Sequence, residues 1–198
     1  IDVLAALNGG PAAVADLERA MTEILECFRT GANNLWSNLF APRIDRIVLA
    51  ATKADHLHHE SHDRLEAILS LLTDKALARA RYRGADVNVL ALAAIRATQE
   101  GEAKRGTQTL PCIVGYPLKG EKIGRRTFDG NEPFAIFPGD LPEDPKKALS
   151  GWQTEHGDMR FVRFRPPDPV QLPSGGVAPF PNIRLDRAIQ TLIGDRLA

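Results

Sequence analysis

Apolar residues recur at three- and four-residue intervals from Pro11 to Phe28 (Val14, Leu17, Met21, Ile24, Leu25, Phe28), the stripe of an amphipathic helix. Pro11 suits its first turn, and Gly31 falls just past its end. Asn33 to Phe40, with Trp36 and Leu39, is a short segment of ambiguous period. Arg43 to Ala51 is almost continuously apolar, as expected of a parallel strand covered on both faces. His58 to Tyr82 returns to helical spacing through Leu65, Ile68, Leu69, Leu72, Ala76 and Ala80, and Gly84 closes it. Val87 to Ala94 is a second buried strand. Strands and helices alternating through short links predict an α/β fold with a mostly parallel sheet and flanking helices.

The pattern changes after Ile95. Residues 99–181 hold most of the prolines and many of the glycines, with short β-like pieces at Ile113–Leu118, Phe134–Phe137 and Phe161–Phe164. Aromatic residues recur through this stretch, so it reads as a β-rich, loop-heavy insertion rather than disorder. Pro181-Asn182 then opens a final helix, Ile183 to Leu197, whose apolar stripe can return to the sheet. The chain thus divides into an α/β unit over 1–98, an insertion over 99–181 and a closing helix over 182–198. It opens on Ile1-Asp2-Val3-Leu4, which reads as the end of a strand already under way, and it has no initiating Met. Both features point to the C-terminal part of a longer protein.

Composition narrows the classes. With 198 residues, 43% of them hydrophobic, the chain can bury one good core. Lys+Arg and Asp+Glu both number 25, which speaks against a nucleic-acid binder or a polybasic membrane surface. No apolar run approaches the roughly 20 residues of a membrane span, and no signal peptide is evident. Cys27 and Cys112 lie far apart and no C-x-x-C occurs, as expected in a reducing, cytoplasmic compartment.

The most informative residues end the first long strand. Arg46-Ile47-Val48-Leu49-Ala50-Ala51 runs into Thr52-Lys53-Ala54-Asp55, an [NT]-K-x-D sequence. A carboxylate at the fourth position can accept both N1–H and the exocyclic N2–H of guanine, a paired contact adenine cannot offer. The lysine stem can lie along the purine face. The Thr hydroxyl can tie the loop to neighbouring backbone. The alternative is an ordinary strand-to-helix turn.

Other candidates carry less. His56, His58, His59 and His62 follow this loop, and on a helix His58 and His62 would share a face as two zinc ligands do. The spacing departs from H-E-x-x-H, because Glu60 follows His59 and the next histidine is His62. A polar helix start, with Glu60 and Asp63 favouring the helix dipole, explains the same residues. No G-x-S-x-G supports serine catalysis, and Ser150-Gly151 lies in a loop. Arg125-Arg126 and Lys146-Lys147 read as solvated charges, Trp36 and Trp152 as core or partner anchors, and Arg184 and Asp186 as structural.

Several separated blocks together resemble the YcjX family of P-loop nucleotide hydrolases over nearly the whole chain. They are Ala50 to His56, Leu90-Ala91-Leu92-Ala93 with Arg96-Ala97-Thr98, Phe137-Pro138-Gly139-Asp140, Phe164-Arg165-Pro166, and Ile183-Arg184-Leu185-Asp186 through Gly194-Asp195. The resemblance implies a Ras-like P-loop G-domain elaborated with insertions, its N-terminal strand and phosphate loop lying outside these residues. It implies binding and hydrolysis of GTP with Mg²⁺ and a link to bacterial stress responses. Carried over by position, Lys53 and Asp55 would read guanine with Thr52 supporting the loop. Asp2 would be the Walker B carboxylate on Mg²⁺, and the Ala94 backbone N–H would meet the guanine oxygen.

Two departures qualify this expectation. Asp2 lacks the D-x-x-G continuation, being followed by Val3, Leu4 and Ala5. No G-x-x-x-x-G-K-[ST] occurs. Gly115 to Lys122 comes nearest, but Glu121 separates glycine from lysine and Ile123 replaces Ser/Thr. The 198 residues alone are therefore expected not to hydrolyse GTP. The alternatives are a nucleotide-gated interaction module that binds a protein partner through its β-rich segment, and an ATPase.

Overall fold

The computed structural model describes residues 1–27, 44–151 and 161–196. It is a mixed α/β protein with a small parallel sheet and covering helices. Helix α1 (Val3–Asn8) turns through Gly9-Gly10 into α2 (Pro11–Glu26). Gly10 has φ of 83°, a left-handed conformation that glycine adopts without steric cost, and Pro11 then fits the first helical position, where no N–H is needed. Phe28, Gly31, the segment Asn33 to Phe40 and Arg43, all read from the sequence above, lie outside the described residues.

Strands β1 (Arg46–Ala51) and β2 (Asp86–Ala91) pair in parallel from Arg46↔Asp86 to Ala51↔Ala91. Helix α3 (His62–Tyr82) makes the crossover. Its apolar stripe puts Leu65, Ile68 and Leu69 fully out of solvent against the sheet and α2. A leucine buried this way contributes about 1.5–3 kcal/mol. Gly84, at φ of 85°, breaks the helix and leads into β2. The expected starts at His58 and Val87 become His62 and Asp86, because two short 3₁₀ turns, Ala54–His56 and His59–Ser61, intervene before α3.

The opening residues correct the sequence expectation. The extended run does not reach Val3 and Leu4, since α1 begins at Val3 with Asp2 as its N-cap, Oδ1 accepting from the Ala5 amide at 3.1 Å. Asp2 can satisfy a free helical donor with its own side chain, and that local bond competes with extension. Ile1 alone flanks the sheet. Its nitrogen donates to Ala50 O at 2.8 Å and its carbonyl accepts from Thr52 N at 2.8 Å, the slanted spacing of one rung of a parallel ladder.

A second sheet follows. Strands β3 (Thr98–Arg105), β4 (Gln108–Gly115) and β7 (Phe134–Ile136) form an antiparallel meander, and β5 (Lys122–Ile123) and β6 (Arg126–Thr127) make a small hairpin beside it. Its core is Ile113, Phe128, Ile136, Val162 and Phe164. The expected strand at Phe161–Phe164 reduces to a single bridge, Pro117↔Phe164, next to Pro166 and Pro167, which have no N–H to extend a ladder. Short helix α4 (Pro145–Leu149) packs on α3.

The closing helix, α5, spans Leu185–Ile193, shorter than expected, and ends in a 3₁₀ turn over Gly194–Arg196; Leu197 lies outside the described residues. It returns to β1, as its stripe predicts, though only Ala188 of the helix is fully buried. Arg184 at its start reaches Glu66 on α3, and Asp195 beyond its end takes both terminal nitrogens of Arg46, at 2.5 and 2.6 Å. Arg184 thus ties the start of the closing helix to α3.

Candidate site at the carboxyl edge of the parallel strands

The Thr52-Lys53-Ala54-Asp55 loop leaves β1 at its carboxyl end and is fastened at each residue. Thr52 donates twice to Ile1 O, from N at 2.8 Å and from Oγ1 at 3.1 Å. Ala54 N donates to Leu92 O at 3.2 Å, and Ala54 O accepts from His62 Nε2 at 2.9 Å. Lys53 adopts φ of 64°, a left-handed conformation that costs a residue with a side chain about 1–3 kcal/mol and persists only where the surroundings enforce it.

Asp55 is buried at 5% exposure. Its Oδ2 accepts the Ala97 N–H at 3.0 Å, and its backbone oxygen accepts a short hydrogen bond from Thr98 Oγ1. Ala97 and Thr98 belong to the turn that joins the parallel sheet to β3. The neighbouring Arg96 N donates to Pro181 O at 2.7 Å, and Ala93 exchanges two backbone bonds with Ile183. The base-reading candidate is thus wedged between the parallel pair and the second sheet.

Ala94, the amide expected at the guanine oxygen, sits exposed in the same turn. The Ala97 amide, not singled out by the sequence, meets the Asp55 carboxylate, a contact separate from the guanine oxygen expected at Ala94. Sequence reasoning missed Ala97 as a site residue because a backbone amide can come from any residue type. Its only signal was membership in the Arg96-Ala97-Thr98 block.

Lys53 Nζ lies 2.6 Å from Asp2 Oδ2. Partial burial pushes the Asp2 carboxyl up, but the Lys53 ammonium and the Ala5 amide outweigh it and hold the group below its usual range. Both Asp2 oxygens are therefore engaged, one by a helix amide and one by a cation. A Mg²⁺ ion held by Asp2 would have to share or displace the Lys53 ammonium at this carboxylate.

The four histidines after the loop disperse. His56 packs edge-on against Phe164, with ring centroids 5.5 Å apart, and burial drives its imidazole pKa down against the pull of Asp55. His62 is buried on Ala54 O, and burial lowers its pKa too. His59 stays exposed and His58 is half-buried, their rings 4.3 Å apart. His58 and His62 do not share a helix face, because the 3₁₀ turn at His59–Ser61 breaks the helical spacing that would align the two rings.

A cavity of about 730 Å³ adjoins the Asp55 contacts, lined by Arg96, Ala97, Thr98, Gly115, Tyr116 and Arg165 among others. The Arg165 guanidinium lies 4.8 Å from the centre of the Tyr116 ring. Gly115 is obligatory at its wall, since a Cβ there would stand 2.7 Å from Phe164 Cδ1 and 3.1 Å from Ala97 O.

A helix-bridged parallel strand pair with a Thr-Lys-x-Asp loop at its carboxyl edge defines an α/β protein compatible with part of a Ras-like fold. The chain belongs to the YcjX-like family, DUF463, which matches residues 1–197. It is 33% identical over 198 residues to the Ras-like GTPase YcjX of Escherichia coli (strain K12), and 33% identical over 200 residues to the Ras-like GTPase YcjX of Shewanella oneidensis. Both alignments cover the whole chain but 38% of each relative, so the chain spans about two fifths of these proteins' length.

Proposed function

We propose that this chain supplies the base-reading half of a guanine-nucleotide site in a protein that binds and hydrolyses GTP. The observation that carries this is the Asp55 carboxylate, held by the Ala97 amide at the carboxyl edge of a parallel strand. Asp55 Oδ1 and Oδ2 would face guanine N1–H and N2–H, the Lys53 stem would lie along the ring, and Thr52 would hold the loop. The Ala94 amide would meet the guanine oxygen. The names of the relatives, Ras-like GTPase, support the same assignment. Mg²⁺ accompanies the nucleotide phosphates in this scheme, and no step runs through Asp2. The 198 residues carry no G-x-x-x-x-G-K-[ST], so turnover belongs to the intact protein rather than to this stretch alone. A bacterial stress role and a cytoplasmic location belong to the same proposal. No helix among the described residues is long and apolar enough to cross a membrane.

A second reading rests on a separate observation. The base loop is bonded directly to the second sheet, through Thr98 Oγ1 on Asp55 O and through His56 on Phe164. Nucleotide binding at Asp55 would then be felt by the sheet, as in a switch that presents the β-rich segment to a protein partner. Single-turnover GTP hydrolysis by the intact protein separates the two. A fast rate without partners favours the enzyme, and a negligible intrinsic rate favours the switch. Preference for ATP in direct binding would discard both.

A further inference from the structure

Between the Thr52–Asp55 loop and α3, the chain makes a short outward turn whose chemistry the nucleotide site does not use. His58 is extended, with φ of −68° and ψ of 149°, and the 3₁₀ turn His59–Ser61 follows. This geometry sends His62 inward and leaves the rings of His58 and His59 packed at 4.3 Å. One ligand atom from each of His58, His59 and Glu60 lies within 4.8 Å of the other two. Glu100 reaches the same spot from β3, its Oε2 standing 2.7 Å from His59 Nδ1 and 3.9 Å from His58 Nε2.

We propose that His58, His59 and Glu60 form a binding site for a divalent transition-metal ion of the zinc class, oriented by Glu100.

The donor set is the one zinc prefers when no thiolate is present, two imidazoles and a carboxylate, with a fourth position left for water or a further ligand. Glu100 fixes the tautomer of His59. His59 Nδ1–H donates to Glu100 Oε2, which leaves the other ring nitrogen as a lone pair. Arg96 Nη2 holds the second Glu100 oxygen at 3.2 Å, so the orienting carboxylate is itself anchored. His58 Nδ1 is buried and has no hydrogen-bond partner among the described residues, 3.7 Å from Glu60 Oε2. A buried polar nitrogen without a partner is uncommon in folded proteins. Coordination by an ion between it and Glu60 would satisfy it. Ligand atoms around tetrahedral zinc sit about 3.3 Å apart, given metal–nitrogen bonds of about 2.0–2.1 Å. Closing to that spacing takes only side-chain rotation, because the His59 and Glu60 side chains are 62% and 67% exposed. The site needs nothing from the nucleotide reading and stands or falls separately.

The test is Zn²⁺ binding to the intact protein after chelator treatment, read by competition with a zinc-sensitive dye at pH 7.5, with Co²⁺ substitution to report ligand type by its visible absorption. The site predicts one Zn²⁺ per chain and a Co²⁺ spectrum of nitrogen–oxygen ligation. It predicts at least a tenfold loss of affinity in His59→Asn and in Glu60→Gln, and a roughly 10–100-fold loss in Glu100→Gln, the usual range for an orienting partner. His59 and Glu60 are exposed enough that their variants keep the fold, which far-UV circular dichroism checks. No stoichiometric uptake, or uptake that His59→Asn and Glu60→Gln leave unchanged, would overturn the proposal.

Discussion

The Asp55 carboxylate and the Ala97 amide, 42 residues apart in sequence, meet at 3.0 Å. This one bond aims the candidate base reader and joins the parallel sheet to the β-rich segment. It also separates two substitutions that would otherwise look alike.

Asp55→Asn keeps an oxygen to accept the Ala97 N–H but loses the charge and one acceptor toward guanine. GTP affinity should fall by about 1.5–3 kcal/mol, the worth of a charged hydrogen-bonding partner, or roughly 10–150-fold. Xanthine nucleotides, which present an oxygen where guanine has N2–H, should bind the variant better than GTP does. Asp55→Ala should lose GTP affinity to a similar degree without that gain, and should lose stability as well. Fluorescent-nucleotide titration reads the affinities, and equal GTP binding by all three proteins would refute the role.

Thr98→Val removes the hydroxyl that donates to Asp55 O in a buried setting. The carbonyl left behind should cost about 1–3 kcal/mol, measured as a lower urea midpoint at unchanged slope. An unchanged midpoint would mean the bond is incidental.

Gly115→Ala should destabilise through crowding rather than lost bonding. The added carbon would meet the buried Phe164 ring and the Ala97 carbonyl, and Ala97 also holds the Asp55 carboxylate. Overpacking of this kind costs about 1–3 kcal/mol. Calorimetry should show a lower Tm, and nucleotide binding should weaken with it.

Stability should depend on pH through His56 and His62. Burial lowers both imidazole pKa values in the folded protein, while the unfolded chain titrates near the ordinary value of about 6.5. Below that pH the unfolded state binds more protons, so stability is full above about 6.5 and falls as the pH drops toward the folded pKa values. His62→Gln, which can still donate to Ala54 O, should flatten the slope between pH 7 and pH 5. A stability curve level over that range in the parent would contradict the burial of both rings as neutral groups.

How much of this was legible in the sequence follows from which forces were local. Helix α3 and both parallel strands announced themselves through apolar periodicity, because their packing faces repeat along the chain. Strand β3 was missed since Thr98–Arg105 is almost wholly polar, and only its pairing with β4 makes it a strand. The start of α1 was misread because Ile1, Val3 and Leu4 suit a strand as well as a helix, and the Asp2 cap decides between them. The Thr-Lys-x-Asp loop was visible as side-chain types. Its clamp at Ala97 was not, since main-chain donors leave no mark on composition. The engagement of Asp2 by Lys53 is likewise a long-range contact that the sequence did not suggest.

The central claim is that Asp55 selects guanine, and competitive binding of GDP and ADP to the intact protein with Mg²⁺ tests it most directly. A guanine preference of about a hundredfold or more, equivalent to roughly 2.7 kcal/mol, is the result predicted. Equal affinities, or no nucleotide binding at all, would contradict it.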